Sequence, residues 1–253
     1  MTSLEEREAA LQQHMAEEHS HSTYAEYIKE VIYGGIDGIV TTFAVVAGFS
    51  GAALSNETTT QVGFLWVLLF GLANLFADAS SMGLGNFLSV RSEKDLYMAA
   101  RNKEKLEVQN NAEMEYQETI TILMQRGYEE ADAIAMADLY RKNEEYWIDF
   151  MMNHELEMPD VRDENPVITG LVTFGSFILF GAIPLLPFML PVTADAGTAF
   201  ELSILGTFTA LVLLGLLKWR VVGAGIWKSL FEVVVVGVVA AGVAFFVGTL
   251  FEV

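Results

Sequence analysis

The chain contains no cysteine, which excludes a disulfide framework, a thiolate zinc site, an iron–sulfur cluster and a cysteine nucleophile. Any metal chemistry must therefore use carboxylate, imidazole or thioether ligands. Positive charge is scarce as well: 14 Lys and Arg stand against 33 Asp and Glu, a net charge of −19. That balance argues against nucleic acid as a partner, because neutralising phosphates takes a surplus of bases. The acids point toward cations. Charged residues make up only 19% of the 253 residues while 53% are hydrophobic, with a mean hydropathy of +0.38. A soluble single-core globule does not have this composition. The apolar excess lies in long runs near the two ends of the chain and the middle is strongly charged, so the chain combines membrane and water-exposed parts.

A cleavable secretory signal needs a basic start and an apolar core. The first residues, MTSLEEREAALQQHMAEEH, are acidic and amphipathic instead, so the segment is expected to be retained. Ser3 and Glu6 have capping-box spacing, which predicts an acidic surface helix within residues 1–28.

Five stretches are long and apolar enough to cross a hydrocarbon core of about 30 Å, which takes about 20 helical residues. They lie near 30–52, 62–88, 167–190, 199–219 and 229–251. The links 52–61 and 191–198 carry no Lys or Arg, whereas Arg7, Lys29, Lys218, Arg220, Lys228 and the nine bases from Arg91 to Arg162 all fall on the opposite side of a five-span arrangement. By the positive-inside tendency, the N-terminus and the central insert are cytoplasmic. The expected organisation is all-α: an N-terminal helix (1–28), spans one and two (29–90), a cytoplasmic helical metal-binding insert (91–165) and spans three to five (166–253).

The insert reads as helices, with a stop at Gly127, a new start near Glu129, a break near Lys142 and Asn143, and an end before Pro159. It holds 19 acids and seven of the chain's 11 methionines. Charge runs are ordinarily solvated faces, and methionines ordinarily fill packing gaps. Spacing narrows the reading. Glu104 and Glu107 are three apart, as are Glu115 and Glu118, so each pair shares a helix face where like charges are unfavourable without a cation. Met151 and Met152 precede Glu155 by four and three residues, placing thioether and carboxylate on one side of a helix. Oxygen combined with sulfur suits Fe(II) or another first-row ion better than Mg or Ca.

Within the spans, Asp37 lies inside the first apolar run, and an intramembrane carboxylate is by default functional. In the second span Asn74, Asp78 and Met82 recur every four residues and form one stripe. Gly34, Gly35, Gly38, Gly83 and Gly85 would allow close helix approach. Glu201 and Glu232 sit near span ends, where charges reach the interface. His14, His19, His21 and His154 all lie outside the spans.

IDGIVTTFAVVAGFSGA in the first span and SSMGLGNFLSVRSEKD at the end of the second resemble the vacuolar iron transporter family. The resemblance extends over almost the whole chain after about residue 20. It implies a homodimeric carrier, not an enzyme, that moves Fe(II), and often Mn(II), out of the cytoplasm in exchange for protons, with no cofactor required. It places Asp37 and Met82 on the path between subunits, and Glu104, Glu107, Glu115, Glu118, Met151, Met152 and Glu155 in the cytoplasmic metal-binding helices. Glu26 and Glu30 match acids at the approach to the first span. Where plant members have a glutamate eight residues before the second-span methionine, this chain has Asn74, with Asp78 one turn nearer Met82. A prokaryotic plasma membrane is expected, given the short N-terminal segment, and a vacuolar membrane if the source is eukaryotic. The rival readings are a membrane-anchored iron oxidase or store and a metal sensor. Against the first, the insert lacks the Glu-x-x-His pairs of di-iron bundles.

Overall fold

A computed structural model describes residues 27–53, 60–189 and 196–249. The expected N-terminal helix, with Ser3, Glu6, the first three histidines and Glu26, lies outside the described residues. Every described element is helical: α1 Ile28–Ala53, α2 Thr60–Asn110, α3 Ala112–Gln125, α4 Glu130–Tyr140, α5 Glu144–His154, α6 Pro166–Gly181, a 3-10 turn Ile183–Leu185, α7 Leu186–Met189, α8 Ala196–Val222 and α9 Ile226–Thr249. The chain divides into two compact units, Phe87–Pro166 and the remainder. The apolar first part of α2 belongs to one unit and its charged second part to the other.

Four segments among the described residues are long and apolar enough to cross a membrane: Ile28–Phe49, Leu65–Asn110, Pro166–Met189 and Gly197–Val222. They correspond to the first four expected spans, and α9 covers most of the fifth. In this unit α1 packs against α8, α9 and the 3-10 turn, and α8 packs against α9. Two apolar clusters fill the gaps. One joins Val46, Leu75, Ala79, Phe177 and Leu185, and the other joins Ile39, Leu211, Leu214 and Val233. Lipid-facing helices gain little from burying apolar surface against each other, so close backbone approach matters more. Gly38 shows it: a Cβ there would stand 2.5 Å from the carbonyl oxygen of Phe177 on α6, closer than any methyl group tolerates. Gly34 and Gly83 also abut α6, whereas Gly85 has open space around it.

The third span is not one helix. Pro184 and Pro187 lack the amide hydrogen that continues an α-helix, and the chain passes from α6 through the 3-10 turn into α7. Ser203 of α8 donates to the Pro184 carbonyl at 2.8 Å. In hydrocarbon a backbone acceptor needs such a partner.

The second unit folds around its own core. Tyr97, Val108, Ile120, Leu123, Trp147, Ile148, Met151 and Met152 are buried together there. Gly127 closes α3 at φ 101°, a backbone region in which glycine meets no steric cost. Asn143 caps α5, its side-chain oxygen accepting from the Tyr146 amide. One break was not expected from sequence. The helix stops at Asn110 and restarts at Ala112, with Asn111 at φ −127° and ψ 31°. Two consecutive asparagines, whose short side chains compete for backbone hydrogen bonds, are the local cause. Ion pairs tie the segment after α5 back to the unit: Arg162 contacts Asp149 at 3.0 Å and Asp160 at 2.6 Å, and Arg101 contacts Asp149 at 3.1 Å. Lys94 donates to the carbonyls of Arg162 and Glu164, each at 2.7 Å.

Candidate metal centre

The break at Asn111 decides which carboxylates meet. Were the helix continuous, Glu104 and Glu115 would be three turns apart. Because α3 is a separate helix, Glu104 of α2, Glu115 of α3 and Glu155 at the C-cap of α5 converge, each offering an oxygen within 4.8 Å of the others. Glu104 and Glu115 are 6% and 3% exposed, and Glu155 is open to solvent. One oxygen of Glu104 and one of Glu115 are buried with no hydrogen-bond partner. A buried carboxylate oxygen left without a donor is costly, and three carboxylates in contact with each other supply no donor while ionised.

The electrostatics follow. Burial, then the charges of Glu155 and Glu115, push the Glu104 carboxyl up to about 8. Glu115 is raised, chiefly by burial. Glu155 is raised by burial and by the charges of Glu118, Glu115 and Glu107. The cluster can relieve this repulsion with protons or with a cation. A divalent ion does so better, since it also fills the empty acceptor positions.

Glu107 and Glu118 act on this trio through their charge but stand outside the converging set. Met151 and Met152 are fully buried in the core of the unit. The Thr119 hydroxyl accepts from the Trp147 indole N–H at 2.7 Å and has two acceptors for its own hydrogen, the Glu115 backbone carbonyl at 2.8 Å and the Met151 sulfur at 3.4 Å. Thr119 lies one turn beyond Glu115 and bonds to its backbone, so this buried chain is joined to the helix turn that carries one of the carboxylates. Sequence reasoning did not single out Thr119 or Trp147. An indole and a hydroxyl in an otherwise apolar helix face were the available signal, since buried Trp N–H groups seek acceptors.

In the membrane unit, Asp37 on α1 and Asp78 on α2 are half-buried and within electrostatic reach of each other. The side-chain amide of Asn74 donates to Asp78 Oδ2 at 2.8 Å. Thr41 donates to the Asp37 carbonyl at 2.8 Å. Met82 packs on the cluster around Leu75 and Phe177. Asp37, Asn74, Asp78 and Met82 thus occupy the helix pair α1 and α2, and Glu30 lies in the first turn of α1 with one carboxylate oxygen buried and unpartnered among the described residues.

Residues 28–249 match the VIT family model. The chain belongs to the VIT family. It is 37% identical over 242 residues to a protein named vacuolar iron transporter from Toxoplasma gondii, covering 93% of this chain and 78% of that one. It is 34% identical over 244 residues to vacuolar iron transporter 1 of Arabidopsis thaliana, with 96% and 92% covered, and 30% identical over 240 residues to a vacuolar iron transporter of Plasmodium falciparum, with 92% and 85% covered. The family resemblance read from the two motifs is thereby established. This VIT family chain is an integral membrane protein and belongs with transporters, not enzymes. The family match runs through both units, so the carboxylate trio and the α1–α2 acids lie inside the shared region.

Proposed function

We propose that this chain exports Fe(II), with Mn(II) as a second substrate, from the cytoplasm in exchange for protons, as a homodimer. The observation that carries the metal reading is the trio of Glu104, Glu115 and Glu155, two of them buried with an empty acceptor oxygen. The names of the relatives support iron as the ion. The insert's carboxylates take hydrated divalent ions and strip part of their water. Glu30, and Glu26 before it, attract ions toward the first span. Asp37 and Met82 form the membrane site, and a two-fold axis would turn one acid and one thioether per chain into four ligands.

Proton exchange follows from carboxylate chemistry. A protonated Asp37 holds a cation weakly, so a proton arriving from the far side releases the ion. Asp78, held by the Asn74 amide, takes the place of the plant-type glutamate as the second acid of the path. Glu107, Glu118, Met151 and Met152 act as supporting groups around the trio, the acids by charge and the methionines by shaping its base. The membrane is a prokaryotic plasma membrane, or a vacuolar membrane if the source is eukaryotic, with the N-terminus and insert cytoplasmic.

The test is metal flux into proteoliposomes of the purified protein, comparing anaerobic Fe(II) with Mn(II), with and without an imposed proton gradient. Gradient-dependent uptake that disappears in Asp37→Ala is expected. Uptake surviving that substitution at matched protein levels would remove Asp37 from the mechanism. Metal binding without flux, accompanied by Fe(II) oxidation, would favour an oxidase or store built on the insert.

A further inference from the structure

The turn between α8 and α9 gathers features that metal transport does not use. Lys218 and Arg220 lie at the end of α8, Gly223 turns the chain at φ 71°, and Trp227 and Lys228 open α9. Within residues 218–232 one acid stands against these three bases. Glu232 accepts from Lys218 at 2.6 Å and is also within electrostatic reach of Lys228, so the turn keeps a local surplus of two positive charges. Beside it runs a groove of about 590 Å³ between the two helices. Phe208, Val212, Leu230, Phe231 and Val235 line it, with Trp227 and Lys228 at the α9 end. Trp227 is 82% exposed, and a tryptophan at a span end marks the headgroup level.

We propose that this groove is a site for an anionic phospholipid, with an acyl chain along α8 and α9 and the phosphate held by Lys228 and Arg220. Charge complementarity selects the occupant. A zwitterionic lipid offers no net charge to a turn with two uncompensated bases, and a soluble anion gains nothing from an apolar groove that begins at the same lysine. A lipid with a negative headgroup satisfies both. Interfacial bases attract anionic lipid electrostatically, and the effect is local to the headgroup region.

The experiment uses the full chain carrying Trp219→Phe, which leaves Trp227 as the indole at this turn, in phosphatidylcholine vesicles doped with dibrominated phosphatidylglycerol or, at the same mole fraction, dibrominated phosphatidylcholine. Bromine quenches nearby indole fluorescence. Stronger quenching by the phosphatidylglycerol is expected, with the excess lost in Trp227→Phe. Lys228→Gln should cut the preference about fivefold, since one interfacial base contributes about that factor, and Lys228→Arg should retain it. Arg220→Gln provides a second variant on an exposed side chain should Lys228→Gln fail to fold. Equal quenching by the two lipids would overturn the proposal, leaving an unselective lipid-facing groove. So would an excess that survives Trp227→Phe, which would place the anionic lipid elsewhere, or a preference that survives removal of both bases.

Discussion

Substituting Glu104 by Gln tests the metal centre through pH. In the metal-free protein the Glu104 carboxyl titrates at about 8, held there first by burial and then by Glu155 and Glu115. At pH 7 that group is mostly protonated, and an incoming ion must expel the proton. Apparent affinity for a divalent ion therefore falls about fivefold from pH 8 to pH 7 and about tenfold again to pH 6, and levels off above pH 8. The shifts of Glu115 and Glu155 act in the same direction and can only steepen the slope. Stability of the metal-free insert runs the opposite way. Since the folded value lies above the ordinary 4.5, the folded state holds a proton that the unfolded chain gives up between about pH 4.5 and 8, and stability declines as pH rises through that window. The full effect above pH 8 is on the order of a few kcal/mol. Glu104→Gln removes the buried charge, so the metal-free variant should unfold later than wild type at pH 9 and bind metal far more weakly, with a flatter pH dependence. Co(II) affinity by titration calorimetry at pH 6, 7, 8 and 9, together with thermal unfolding in the presence of chelator, measures both. A wild-type affinity that does not change between pH 6 and 8 would refute the reasoning, as would a Gln variant less stable than wild type at pH 9.

Two further substitutions address packing. Gly38→Ala places a methyl group 2.5 Å from the Phe177 carbonyl and should force α1 away from α6, at a cost of about 1–3 kcal/mol; a thermal midpoint in detergent equal to wild type would show the helix contact to be slack. Trp147→Phe deletes the donor to Thr119 and should cost about 1–3 kcal/mol. The same variant should also weaken Co(II) binding, because the indole is a packed partner of the Thr119 hydroxyl, which is bonded in turn to the Glu115 backbone; unchanged affinity with lowered stability would confine the indole to a packing role.

Hydropathy located the described spans because lipid imposes a length and a composition that few other environments do. It could not show that the third span is interrupted, although Pro184 and Pro187 were in view, since apolar content and hydrogen-bond continuity are independent properties. In the insert, Gly127, Glu129 and Asn143 marked ends and starts that the structure has. The trio was less legible. Spacing pairs Glu104 with Glu107 and Glu115 with Glu118, which describes neighbours along one helix. The converging acids come from three helices, and their meeting depends on the interruption at Asn111. Periodicity reads faces, and a site assembled across helices needs the fold. The membrane stripe illustrates the converse: Asn74 and Asp78 are four apart on one helix, and their hydrogen bond is a contact that spacing alone can anticipate.

The hydroxyl of Ser203 on the Pro184 carbonyl ties two segments that hydropathy treats as separate spans. A continuous helix in lipid satisfies its own backbone and can, in principle, insert or loosen alone. The interrupted third span cannot, because a partner for one of its carbonyls belongs to α8. Opening of one should therefore expose an unmet acceptor in the other, so that the two segments behave as one cooperative element in hydrogen exchange despite belonging to different crossings.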